Sequence, residues 1–245
     1  MLHLNLIRVR SPEEMARAAA DMFEDLIRAK PACVLGLATG STPLPLYREL
    51  IAREQGGKID FSRVRSANLD EYKGLAPNQP QSYRRFMREN LFNHINIPAD
   101  RSFLPDGTQT DSTLECARYD RIIEEHNGID LQLLGIGHDG HIGFNEPGEA
   151  FELETHCVDL TPETIEANKR FFDGNVDLVP KQAYTMGIKT IMQARKVLMV
   201  ANGKGKAEIV KKAFFGPVTP EVPASILQMH PDFTLVGDEE ALSLI

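Results

Sequence analysis

Short apolar runs that end in glycine or polar turns alternate along this chain with longer stretches whose apolar residues recur every three or four positions. Residues 3–9 alternate and predict a short strand. Ser11-Pro12-Glu13-Glu14 is a capping box with proline at the first helical position, so a helix is expected from there to about Arg28. The apolar run CVLGLA at 33–38 predicts a buried strand, delivered into Thr39-Gly40-Ser41-Thr42-Pro43 and then the helix PLPLYRELIARE. Residues 64–69 predict the next strand, ending on Asp70-Glu71-Tyr72. A loop over 73–82 and a helix over 82–93 follow. Residues 113–127 read as an amphipathic helix, 130–136 as a strong buried strand, and 155–160 as a short strand. Thr161-Pro162-Glu163 opens a helix, and 168–184 is polar and turn-rich. Residues 197–201 form another buried strand, followed by Asn202-Gly203-Lys204-Gly205-Lys206, a helix to about Phe215, and a last strand at 233–236.

Strands that are apolar throughout, joined by connections long enough for helices, specify an α/β fold with a mostly parallel open sheet covered on both faces. No internal repeat or low-complexity linker divides the 245 residues, so a single domain over 1–245 is expected. In such sheets, ligands bind beyond the carboxyl ends of the strands. The segments after 38, 69, 136 and 201 hold nearly all the unusual residues and are expected to face one cleft.

Composition narrows the class of partner. A net charge of −8 disfavours nucleic acid and anionic lipid but leaves room for a small anionic metabolite in a locally positive pocket. No apolar run approaches the length of a membrane span, and the first residues lack the pattern of a signal peptide. Three widely separated cysteines, Cys33, Cys116 and Cys157, argue against a disulfide framework or a CxxC zinc site. A cytoplasmic protein is expected.

The densest chemistry lies in Gly137-His138-Asp139-Gly140-His141-Ile142-Gly143-Phe144-Asn145-Glu146-Pro147. Gly135, Gly137 and Gly140 match G-x-G-x-x-G after a strand, but Phe-Asn-Glu-Pro-Gly interrupts the helix that a dinucleotide site needs. His138, Asp139, His141 and Glu146 include metal-ligand types without a standard spacing. A simple turn in which histidine and aspartate cap each other is the plain alternative. Acid–base chemistry fits best, with His141 as the proton shuttle and Asp139 and Glu146 as its orienting carboxylates. Thr39, Gly40, Ser41 and Thr42 at a strand-to-helix turn suit a phosphate, or else an ordinary helix cap. Lys206 at a helix start is best explained by an anion there, although a solvated lysine is the simpler reading. Asp70 and Glu71 are a charged pair at a strand end, which can supply a base but equally suits ordinary solvated carboxylates.

Together these segments, with Ser82-Tyr83, Ala167-Asn168-Lys169-Arg170-Phe171-Phe172 and Gly205-Lys206-Ala207, resemble the glucosamine-6-phosphate deaminases (isomerising) in order and over nearly the whole chain. The ending Ile-Gly-Phe-Asn-Glu-Pro separates this family from the related 6-phosphogluconolactonases, which share the glycine–aspartate–histidine core. The resemblance implies a Rossmann-like fold of the deaminase/ribose-5-phosphate isomerase/CoA-transferase-like type. It also implies conversion of glucosamine 6-phosphate and water to fructose 6-phosphate and ammonia, with no cofactor and no metal. Asp70 is then the base that moves a proton between C2 and C1, and His141, with Asp139 and Glu146, opens the sugar ring. Thr39, Gly40, Ser41, Thr42, Arg170 and Lys206 form the phosphate cradle, and 155–185 is a lid. Regulated hexameric members hold an allosteric phosphate with an interface serine, arginine and lysine, where this chain has Glu149, His156 and Val158. It also stops short of their length at Ile245. An unregulated monomer is therefore expected. The rival readings are a lactonase or aldose–ketose isomerase that releases no ammonia, and a non-catalytic sugar-phosphate sensor.

Overall fold

A computed structural model describes residues 4–169 and 172–245. Among them, the sequence signals become β1 (Leu4–Val9), β2 (Val34–Leu37), β3 (Arg65–Asn68), β4 (Asp70–Tyr72), β5 (Ser102–Phe103), β6 (Leu131–Leu134), β7 (His156–Asp159), β8 (Gln182–Thr185), β9 (Val197–Ala201) and β10 (Phe233–Asp238). The helices are α1 (Pro12–Ala29), α2 (Leu44–Gln55), α3 (Tyr83–Asn90), α4 (Ser112–Glu125), α5 (Pro162–Asn168), α6 (Ile188–Met192) and α7 (Ala207–Phe215).

Local chemistry sets the helix starts. Ser11 Oγ accepts the Glu14 amide of α1 at 3.2 Å, while the Glu14 carboxylate accepts the Arg10 amide at 2.9 Å. Asp111 caps α4 through the Leu114 amide at 3.1 Å. The face of α1 bearing Met15, Ala19, Phe23 and Ile27 is buried, and each large side chain so placed contributes about 1.5–3 kcal/mol of transfer free energy.

Seven strands form a parallel sheet in the order β1-β10-β9-β6-β2-β3-β5. From β2 the chain moves outward to β3 and β5, then returns to the other side of β2 as β6 and continues to β9 and β10. The strand order therefore reverses between β2 and β6, and the loops leaving these two neighbours diverge and open a crevice. The four exits singled out above belong to β9, β6, β2 and β3, which are consecutive in the sheet.

A second, antiparallel sheet of order β4-β8-β7 was not apparent in the hydropathy pattern. The strand read over 64–69 divides at Leu69. Its amide donates to Leu37 O at 3.1 Å, and its carbonyl accepts from Met186 N at 2.7 Å. Asp70 then begins β4, opposite Thr185 of β8. The stretch 168–184, read as turn-rich, ends in β8 instead. β5, with two residues, and α6, with five, are too short to leave a periodic signal. A small core of Tyr72, Phe144, Leu160, Phe172, Val179 and Ala183 joins the second sheet to the segments around it.

At the opposite end of the parallel sheet, buried Asp130 accepts the Val34 amide at 2.8 Å and pairs with Lys30 at 2.8 Å and Arg195 at 3.0 Å. It therefore ties β2 to β6 below the crevice. Replacing Asp130 with Ala orphans that amide and should lower folding stability by about 2 kcal/mol. Urea unfolding should show this as a lower midpoint at unchanged slope.

Candidate active site

The crossing at Leu69 places Asp70 where the two sheets meet, with 6% of its surface exposed. No described residue donates a hydrogen bond to its carboxylate. Burial, reinforced by the neighbouring charge of Glu71, pushes Asp70 up to about 8. Glu71 is also buried, and burial raises its proton affinity despite four donors. Those donors are Ser82 Oγ at 2.8 Å and the amides of Tyr72 (2.9 Å), Tyr83 (2.9 Å) and Arg84 (3.0 Å). Glu71 is thus occupied with the start of α3, whereas Asp70 is not. That difference separates two carboxylates that were equivalent by sequence.

The segment after β6 forms an irregular turn with no helix following it, which removes the dinucleotide reading. Gly137 N donates to His141 O at 2.9 Å, closing the turn. His141 Nδ1 lies 2.8 Å from Asp139 Oδ1, without the alignment of a straight hydrogen bond, and the His141 amide donates to the same oxygen at 3.1 Å. Burial alone would raise Asp139, but the ring and amide of His141 overcome it and hold Asp139 at about 2. Asp139 therefore stays ionised beside the imidazole. The ring lies over Gly137, where a Cβ would overlap it.

Gly143 has φ +61°, and a Cβ there would come 2.9 Å from Thr185 Oγ1 and 3.5 Å from Asp70 Oδ2. Glycine thus lets the histidine-bearing loop lie against Asp70. The loop is pinned to β8 by Phe144 N to Thr185 Oγ1 at 3.0 Å and by Asn145 Nδ2 to Met186 O at 2.8 Å. Glu146 is bonded elsewhere than expected. Its Oε1 accepts from Thr164 Oγ1 of α5 at 2.5 Å, its Oε2 is buried without a partner, and no hydrogen bond joins it to His141 among the described residues.

Thr39, Gly40, Ser41 and Thr42 form the turn from β2 into α2. Gly40 has φ +99°, which a side chain would strain. Neither Ser41 nor Thr42 caps α2 with its side chain; the N-cap is Pro43, and the Leu44 amide donates to the Ser41 carbonyl at 3.3 Å, so the side-chain cap reading fails. Lys206 stands at the N-cap of α7, and its Nζ donates to Ile136 O, at the exit of β6, at 2.7 Å. Arg170 lies outside the described residues. Among the described residues, no group of three or more His, Cys, Asp or Glu side chains is arranged to hold a metal ion. Clefts of about 460 Å³ beside Glu71 and about 610 Å³ beside His138 flank this set of residues.

Thr185 was not singled out from sequence, and Tyr83 was named only within a matching segment, with no role. Tyr83 shares side-chain hydrogen bonds with Thr39 and Tyr72, and burial raises its phenol well above the ordinary value, so it remains a donor. Tyr83 had a signal, since it follows the N-cap Ser82. Thr185 had none, because its role depends on the pairing of β8 with β4.

A family model described as glucosamine-6-phosphate isomerases/6-phosphogluconolactonase matches residues 10–235. The chain belongs to this family. Among members of the family, a glucosamine-6-phosphate deaminase of Lachnoclostridium phytofermentans is 55% identical over 233 residues, covering 95% of this chain and 98% of that protein. One from Clostridium perfringens is 51% identical over 242 residues, covering 99% and 100%. The solved structure of a monomeric glucosamine-6-phosphate deaminase is 43% identical, with a TM-score of 0.95 over 98% of this chain and 100% of that one. A 6-phosphogluconolactonase from Trypanosoma brucei, 20% identical with a TM-score of 0.78 over 99% of each chain, shares the fold.

The Asp70 environment has a measurable cost. Unfolded, the carboxyl titrates at its ordinary value of 3.8; folded, at about 8. Between these, the native state holds a proton that the unfolded chain has released. The stability it contributes is therefore complete below about pH 4 and lost as pH rises through about 8. Asp70→Asn should accordingly melt higher than wild type above pH 8, by about 2–4 °C for each kcal/mol of burial cost relieved, with the gain vanishing near pH 4. A gain independent of pH would contradict this electrostatic account.

Proposed function

We propose that this chain is an enzyme of amino-sugar catabolism that converts glucosamine 6-phosphate and water to fructose 6-phosphate and ammonia. The observation that carries the reading is the position of Asp70, buried at the meeting of two sheets against the turn that bears His141. The two relatives at 55% and 51% identity are named glucosamine-6-phosphate deaminases, which supports the same reaction here.

In this reading the phosphate rests on the amides of the Gly40 turn, with Lys206 as a point charge and Arg170 as a bidentate fork. Its binding energy holds the distant C1 and C2 against the reacting groups. His141 takes the proton of the anomeric hydroxyl and returns one to the ring oxygen, breaking the C1–O5 bond. Asp139, held ionised, stabilises the imidazolium in between. Asp70 removes the C2 proton and delivers it to C1 while a proton passes from the nitrogen to O1, so the C1 carbonyl becomes a hydroxyl and the C=N bond forms at C2. A carboxylate stripped of water and donors is a stronger base than one in solution, which suits a weakly acidic carbon. Water adds at C2, and the nitrogen, protonated to a better leaving group, departs as ammonia. Residues 155–185 act as a lid within a single domain spanning 1–245, and the enzyme works in the cytoplasm.

The same reading makes it an unregulated monomer. Glu149 and Val158 offer no ligand for the phosphate of an allosteric effector. The rate should be hyperbolic in substrate and indifferent to N-acetylglucosamine 6-phosphate. A sigmoidal curve that the effector straightens would overturn this.

The deciding experiment is a coupled assay with glucosamine 6-phosphate that measures fructose 6-phosphate and ammonia together. Equal amounts of both are expected, and fructose 6-phosphate without ammonia would overturn the reaction. In wild type, kcat/KM should climb with pH through about 8, following ionisation of Asp70. Asp70→Asn should lower kcat by about 100-fold or more while leaving KM nearly unchanged. Lys206→Ala should mainly raise KM.

A further inference from the structure

Glu146 differs from the other site carboxylates in how it is held. Asp139 is satisfied within its own turn and Glu71 by the start of α3, but Glu146 depends on one distant residue. Its Oε1 accepts the hydroxyl of Thr164 at 2.5 Å, and its buried Oε2 has no donor among the described residues. A carboxylate oxygen left so is costly unless a bound molecule supplies the missing donor.

Thr164 is itself oriented. It is the third residue of α5, and its amide donates to the N-cap Thr161 Oγ1 at 3.2 Å. The Thr161 hydroxyl donates to Thr164 Oγ1, also at 3.2 Å, which leaves the Thr164 hydrogen directed at Glu146. The other end of α5 is fixed on the same site: Asn168 Nδ2 donates to the Tyr72 hydroxyl at 2.8 Å, two residues beyond Asp70. One short helix is thus bonded to both segments that carry the reacting carboxylates.

We infer that Thr164 is a positioning residue for the reaction: its hydroxyl holds Glu146 by one oxygen and leaves the other open to a proton of the substrate. Seating of α5 on the site is then a condition for Glu146 to act, not only a cover over bound sugar. This role rests on the proposed deaminase reaction.

The test compares Thr164→Val, which keeps the shape and loses the hydroxyl, with Thr164→Ser, which restores it. Both products are measured with glucosamine 6-phosphate, and circular dichroism melting verifies folding; Thr164→Ala serves where the valine variant does not fold. The hydroxyl-free variant should lose about tenfold in kcat with KM within about twofold of wild type, and serine should recover most of the loss. In a Glu146→Gln background the same substitution should cost nothing further, because its effect runs through that carboxylate. A raised KM at full kcat, or an undiminished loss in the Glu146→Gln background, would overturn the role and leave Thr164 a lid contact. A wild-type protein that releases neither product would instead overturn the reaction itself, and the role with it.

Discussion

The candidate site depends on a single backbone event, the passage of one strand from one sheet into another at Leu69. Its amide closes the last bond of the parallel sheet and its carbonyl the first link to β8. No water is needed at the crossing, because both polar groups are satisfied by neighbouring strands. The residues that follow are consequently buried, and two of them are acidic. Adjacent residues in a strand point to opposite faces. Glu71 reaches the start of α3 and receives four hydrogen bonds, whereas Asp70 faces the histidine loop and receives none from the described residues. The same burial acts on both, but only at Asp70 is it left uncompensated, with the Glu71 charge adding to it. The proton affinity of one of two neighbouring carboxylates is thus raised by withholding donors from it.

Acid–base work also needs the opposite case, and the histidine turn supplies it. Asp139 is half-exposed and bonded within its own loop, and it stays ionised well below neutral pH. The environments push two aspartates apart, one to about 8 and one to about 2. Separation of this kind is what allows different steps of one reaction to be divided between chemically identical side chains. The pins from Thr185 and Asn145 keep the two halves in register.

Most of the parallel sheet was legible because its strands are wholly buried runs bounded by turn residues, and a run such as VLMVA has few other uses. The gathering of the four loop segments followed from that sheet, since parallel strands deliver their exits to one edge. Of the second sheet only β7 was legible, within the strand read over 155–160, and its pairing was not. Its strands have three or four residues each, and β7 and β8 lie far along the chain from β4. The partner of Glu146 was hidden for the same reason: the motif gave the carboxylate, but Thr164 is eighteen residues away on a helix whose docking follows from tertiary packing. Local motifs announce groups that act within their own turn, as His141 and Asp139 do. They are silent where one element must be brought to another.

Two of the residues given no role from sequence share a location. Thr164 and Thr185 belong to the stretch that carries β7, α5 and β8, and its side chains Leu160, Phe172 and Val179 pack on Tyr72 and Phe144. Tyr72 and Phe144 are in turn near neighbours of Asp70 and Glu146 in the chain. The apolar contacts that fasten this stretch therefore act on the backbone that aims the carboxylates. An uncovered site of this design would lose more than its shelter from water. Water reaching Asp70 would hydrate it and return it toward an ordinary carboxylate, and Glu146 would lose the Thr164 hydroxyl, its one donor among the described residues. In the proposed reaction, covering the substrate and activating the groups beneath it would be the same physical act.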